Sequence, residues 1–158
     1  MHGLSTFLTG LIDGLYPRVC PGYGCGRLSE RPGRHLCHDC RSKIELYRTS
    51  LCSLCGREVE GQVKHTFVCG VCRAVRPHYD RARAAGHFSG VLREMVHAFK
   101  YDSALWLCAD LVDLLEGCLT AHFHADAVDV VVPVPLHPVR QRERSYNQSV
   151  LLARELAR

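Results

Sequence analysis

Long apolar runs are missing from this 158-residue chain. Nothing in it approaches the roughly 20 apolar residues that a membrane-crossing helix needs. The first 17 residues are apolar in patches, but no Lys or Arg precedes the apolar run. Thr9 and Asp13 interrupt that run, and no small-x-small cleavage site follows it. These absences argue against a secretion signal and place the chain, by expectation, in a reducing cytoplasm. A run of strands is also missing, since only one continuous β-branched segment occurs. Overall basicity is modest: 20 Lys and Arg against 16 Asp and Glu give a formal +4.

Cysteine is abundant, and it is concentrated. Eight of the ten cysteines lie between residues 20 and 72. Such density means either a disulfide scaffold or a metal site, and the expected compartment favours metal. The spacings are Cys20-x4-Cys25, Cys37-x2-Cys40, Cys52-x2-Cys55 and Cys69-x2-Cys72. A two-residue gap lets both sulfurs of a tight turn face one tetrahedral ion. Gly26 and Gly56 follow directly where such a turn needs positive φ. Zinc is the expected ion, and an iron–sulfur cluster is the other metal reading. The segment repeats: Cys25-Gly26-Arg27 leads to Cys37-His38-Asp39-Cys40-Arg41, and Cys55-Gly56-Arg57 leads to Cys69-Gly70-Val71-Cys72-Arg73. The repeat supports sequential pairing, with Cys20, Cys25, Cys37 and Cys40 on one ion and Cys52, Cys55, Cys69 and Cys72 on the other. A cross-braced pairing stays open, as does replacement of Cys20 by His35 or His38. Four thiolates close a site to substrate, so both ions are structural. Each loaded site carries a net −2, and two of them cancel the formal +4. Arg27, Arg41, Arg57 and Arg73 stand ready to offset that charge. Any nucleic-acid contact must then rest on local patches. The candidates are Arg73, Arg76, Arg81 and Arg83 around Tyr79, and Arg140, Arg142 and Arg144 beside Tyr146.

Three segments follow from composition. Residues 1–17 contain an amphipathic helix with Leu4, Phe7, Leu8, Leu11, Ile12 and Leu15 on one stripe, stopped by Pro17. Residues 18–77 form a double zinc ribbon with little core of its own. Residues 78–158 show regular patterns: a strand over 79–88, helices over 89–100, 103–122 and 146–157, and a buried parallel strand over 129–134 (DVVVPV). In the 103–122 helix, Leu105, Cys108, Leu111, Val112, Leu115 and Leu119 form the apolar face, and Cys108 and Cys118 fill core space. Strand, helices, strand and helix in that order make an α/β domain. With one buried strand it is an incomplete one. The loop after that strand carries Pro135, His137, Arg140, Arg142 and Arg144. A loop at the carboxyl end of a strand, rich in arginine and leading into a helix, suits a phosphate or pyrophosphate. A solvated basic turn is the plain alternative.

These features together resemble the ComF family of competence-associated proteins, which are related to phosphoribosyltransferases. The ordered cysteine pairs are matched by Phe99-Lys100-Tyr101, by Val132-Pro133-Val134-Pro135-Leu136-His137, and by Arg144 followed by Asn147-Gln148. The resemblance implies a type I phosphoribosyltransferase-like α/β domain behind the ribbon. It adds Asn147 and Gln148 to the phosphate-loop candidates. It also implies a role in DNA uptake during natural transformation, with competence-machinery proteins and single-stranded DNA as partners. Ser145-Tyr146 stands where the family carries Gly-Phe. The family's acidic pair followed by Thr-Thr-Gly, which holds phosphoribosyl pyrophosphate, does not occur within the 158 residues. The expectation is therefore a C-terminally truncated ComF protein with no catalytic residues and no transferase activity alone. Half of a split phosphoribosyltransferase and a free-standing zinc-ribbon interaction module are the two alternatives.

Overall fold

The structure, a computed structural model, describes residues 18–47, 50–59, 61, 66–123 and 128–158. The amphipathic helix expected within residues 1–17 lies outside them. Six helices and one short 3-10 turn are described. They are α1 (His38–Ser42), α2 (Gly70–Ala74), α3 (Gly90–Tyr101), the turn Leu105–Leu107, α4 (Cys108–His122), α5 (Pro138–Arg144) and α6 (Gln148–Leu156). None of these helices is long and apolar enough to cross a membrane.

The three longer helices form where periodicity placed them. α3 turns Leu92, Met95 and Phe99 inward. In α4 the buried face is Asp110, Leu111, Val112 and Leu114. This differs from the expected stripe, since Leu105 remains exposed and Leu107 is buried in its place. Cys108 and Cys118 are half-buried, and Cys108 packs against the core. α6 lies against α4.

The expected strands are not formed. Among the described residues the only β pairing is two isolated antiparallel bridges, Val19 with Leu28 and Leu51 with Glu58. Residues 79–88 are irregular because their backbone serves other segments: Ala82 N–H donates to the Leu54 carbonyl, and His87 N–H donates to the Glu45 carbonyl. Residues 129–134 have no partner strand among the described residues. Val130, Val132 and Val134 are 71%, 74% and 72% exposed. A buried parallel strand needs neighbours on both edges and cover on both faces. Nothing among the described residues supplies either, and Pro133 and Pro135 withdraw two donors. The described part of the second segment is thus helical.

One core runs through both segments. Cys20, Leu36, Cys37, Cys40 and Ile44 cluster with Leu92, Met95, Phe99, Leu107, Leu111 and Leu114. Leu36, Met95 and Leu107 are completely enclosed. The second ribbon has its own small cluster of Cys52, Cys69 and Cys72, with Leu54, Phe67 and Val68 around it.

Candidate metal centres and the arginine loop

Each ribbon begins with a short turn closed by backbone hydrogen bonds. In the first, Cys20 N–H donates to the Arg27 carbonyl at 2.7 Å; in the second, Cys52 N–H donates to the Arg57 carbonyl at 2.8 Å. Gly26 and Gly56 have φ of +60° and +69°, as turns after a metal-binding cysteine require. At Gly56 an added Cβ would also sit 2.6 Å from the Ala82 carbonyl oxygen. The second cysteine pair of each ribbon starts a five-residue helix. Cys37 and Cys69 are the N-caps of α1 and α2, and Cys40 and Cys72 lie inside them. Cys37 N–H points at the Cys20 sulfur (3.5 Å), and Cys69 N–H points at the Cys52 sulfur (3.3 Å). Seventeen residues separate donor and acceptor in both cases, so the internal repeat is a repeat of structure.

The sulfurs gather in two groups of four, Cys20, Cys25, Cys37 and Cys40, and Cys52, Cys55, Cys69 and Cys72, each with its members within 4.8 Å of one another. The Cys25 and Cys37 sulfurs are 3.7 Å apart, and those of Cys55 and Cys69 are 3.8 Å apart. A tetrahedron of zinc–sulfur bonds near 2.3 Å has edges of about 3.8 Å. The donor sets therefore fit two structural zinc ions. Grouping is sequential, and Cys20 completes the first set. Neither histidine replaces it: His35 packs its ring at a tilt against Trp106, with centroids 4.4 Å apart, and His38 points to solvent beside Asp39.

Electrostatics point the same way. Burial, with the hydrogen bonds from neighbouring thiols added, pushes the Cys72 thiol up to about 12 and raises Cys40 further. Backbone N–H contact at Arg27 and the nearby thiols lower Cys25 to about 7. Burial opposes ionisation of Cys52, but N–H groups of Cys69, Cys55 and Leu54 outweigh it and bring that thiol down to about 6. Four crowded thiols cannot all ionise alone. A divalent cation removes the conflict by displacing the protons.

The first ribbon is joined to α4 by a charged cluster. Asp110 is fully enclosed, and its carboxylate accepts the N–H groups of His35 (2.8 Å) and Leu36 (3.3 Å). Arg34 Nη2 lies 2.7 Å from Asp113, Arg31 also pairs with Asp113, and Arg41 Nη1 lies 3.6 Å away. Burial opposes charge on Asp113, yet the hydrogen bonds from Arg34 and Arg31 hold its carboxyl below the ordinary range. Sequence reading missed Asp110. Its signal was an acid set between apolar residues on the inner face of a helix. The second ribbon has a lighter attachment, in which Arg83 donates to the carbonyls of Cys52 and Ser53.

The arginine-bearing segment is partly helical. α5 is seven residues long, with His137 Nδ1 accepting the Val139 N–H at its start. Pro135 and Arg142 are exposed, and Arg140 pairs with Glu143 at 2.9 Å. Arg144 lies over the Tyr101 ring, 4.7 Å from its centroid. Ser145 adopts φ +63°, the left-handed region, which accounts for the glycine that the ComF resemblance places there. Tyr146 donates its hydroxyl to the Phe99 carbonyl. Asn147 caps α6 by accepting from Ser149 N–H (2.9 Å) and Val150 N–H (3.4 Å). Gln148 keeps a buried side-chain oxygen without a hydrogen bond. His137 and Asn147 thus have structural duties that the phosphate reading did not foresee. The other basic patch is largely engaged. Arg73 lies over Phe67, Arg81 over Phe123, and Arg83 is turned onto carbonyls.

Comparison with known proteins agrees with this geometry. The double zinc ribbon domain family matches residues 11–75. Competence protein F of Haemophilus influenzae is 29% identical over 126 residues, which cover 78% of this chain and 53% of that protein. Competence protein ComFC of Bacillus subtilis is 28% identical over 137 residues, covering 81% and 54% respectively. DNA utilization protein YhgH of Salmonella typhimurium is 29% identical over 136 residues, covering 77% and 60%. The chain therefore spans a little over half the length of these relatives. No solved structure matches.

Proposed function

We propose that the chain is a ComF-family protein built on a double zinc ribbon and that it handles DNA in the cytoplasm during competence. Single-stranded DNA is the proposed nucleic-acid partner, and competence-machinery proteins are the proposed protein partners. The observation that carries this reading is the pair of closed four-cysteine groups on a chain whose relatives are competence and DNA-utilization proteins. A closed site builds a scaffold, so the work falls to the surface around it. That surface includes exposed Arg76, Arg140 and Arg142. Binding that uses such side chains releases counterions and must weaken as salt rises. Affinity of the zinc-loaded chain for a single-stranded oligonucleotide should fall at least tenfold between about 50 and 200 mM salt for three or more phosphate contacts. Salt-independent binding, or none at about 50 mM, would contradict the DNA reading.

A second reading is a phosphoribosyltransferase-like α/β domain. It is favoured by the extended valine segment that leads through His137 into the arginines of α5. On this reading Val130, Val132 and Val134 belong to a sheet completed by other strands. Pro135, His137, Arg140, Arg142, Arg144, Asn147 and Gln148 would form its pyrophosphate side. The 158 residues hold no acidic pair with Thr-Thr-Gly for the ribose side, so the chain alone should release no pyrophosphate from phosphoribosyl pyrophosphate. Release that disappears on Arg144→Ala would contradict this. The free-standing ribbon reading is weakened by the core that the first ribbon shares with α3 and α4.

A further inference from the structure

The outer face of α3 carries a ladder of side chains that neither ribbon nor arginine loop accounts for. Arg93, His97 and Tyr101 lie four residues apart, so they follow one another along about 12 Å of one helix face. The His97 and Tyr101 rings are 4.7 Å apart, and Arg144 continues the ladder at 4.7 Å on Tyr101. Along the same face a cleft of about 480 Å³ opens toward the tip of the first ribbon. Arg93, Glu94, His97 and Asp102 line one side of the cleft, and Tyr23 lines the other.

Tyr23 is the least buried of the large apolar side chains described, at 92% exposed. Its backbone is held fast. Its N–H donates to Glu94 at 2.9 Å. Gly22 beside it has no room for a Cβ, which would stand 2.6 Å from the Cys40 sulfur. Cys25 N–H closes the turn onto the Gly22 carbonyl at 2.9 Å. A rigid turn between two zinc-site cysteines thus presents a bare aromatic ring over a cleft of nucleotide size. Fixing the backbone that carries a ring lowers the cost of binding on it, and every base offers a face to stack on.

We infer that single-stranded nucleic acid runs along this face, with one base stacked on Tyr23 and its phosphates passing Arg93 and His97 toward Arg144. Asp102 lines the same cleft and offers an acceptor for an exocyclic amine. The inference rests on the DNA reading proposed above and assigns it a track distinct from the Tyr79 patch. The test is fluorescence anisotropy of a labelled oligo-dC strand of about 20 nucleotides, longer than one such site, with the full zinc-loaded chain. Tyr23→Ala should weaken binding about tenfold, in line with the loss of one stacked base. Tyr23→Trp should bind like the wild type. Arg93→Ala should weaken binding and reduce the salt slope by about one contact. Variants are compared at equal zinc content, and Tyr23 sits outside the core, so loss of fold does not mimic loss of stacking. Wild-type binding with no effect of Tyr23→Ala and Arg93→Ala would overturn the track while leaving the DNA reading intact. No wild-type binding would overturn both.

Discussion

Asp110→Ala is expected to destabilise the zinc-loaded chain by about 2–5 kcal/mol, since each of two backbone donors that lose their acceptor costs about 1–3 kcal/mol. The substitution takes the acceptor away from the buried N–H of Leu36 and the part-buried N–H of His35. It also takes away the carboxylate 3.9 Å from Arg31 Nη1. Arg31 keeps its contact with Asp113, so the cost arises mainly from the orphaned backbone and the cavity. Domains of this size have a total stability of about 5–15 kcal/mol, so the loss should be plain in a denaturant titration. Asp110→Asn retains one acceptor oxygen and should lose clearly less. An alanine variant within about 1 kcal/mol of wild type would show that the first ribbon does not depend on this carboxylate.

The two zinc sites should not be equivalent. Cys40 lies in the main core with Leu92, Met95 and Phe99, whereas Cys72 belongs to a small separate cluster. Structural zinc in small domains contributes on the order of 10 kcal/mol of folding free energy. Cys40→Ser should therefore abolish zinc at the first site and most of the helical circular-dichroism signal with it. Cys72→Ser should lose the second ion and keep α3, α4 and α6 helical. Equal helix loss in both variants would sink this asymmetry, as would full helix content in Cys40→Ser.

What could be read from residue order, and what could not, divides along the range of the forces involved. Cysteine pairs were legible because chelation acts over a few residues. Cys37-x2-Cys40 and Cys69-x2-Cys72 set the ligand spacing without help from the rest of the fold. α3 and α6 were legible because an apolar stripe reports its own helix. Strands were not, because a strand is defined by its neighbours. The valines of 129–134 read as buried, yet no described neighbour covers them. Asp110 escaped notice for a related reason: its partners are backbone groups 74 and 75 residues away in sequence. Asn147 drew attention through its motif, but its geometry is that of a helix cap. The ComF resemblance singled out the arginine segment through its motif, and the phosphate chemistry of that segment stays a proposal.

Both ribbons depend on metal in closed four-sulfur sites. The direct measurement is metal content by mass spectrometry of the natively folded chain, paired with the same count for Cys72→Ser. Two zinc ions per chain, falling to one in the variant with the helical signal retained, is the result that two independent groups of four thiols require. Fewer than one zinc per chain in a protein that keeps its fold would contradict the account.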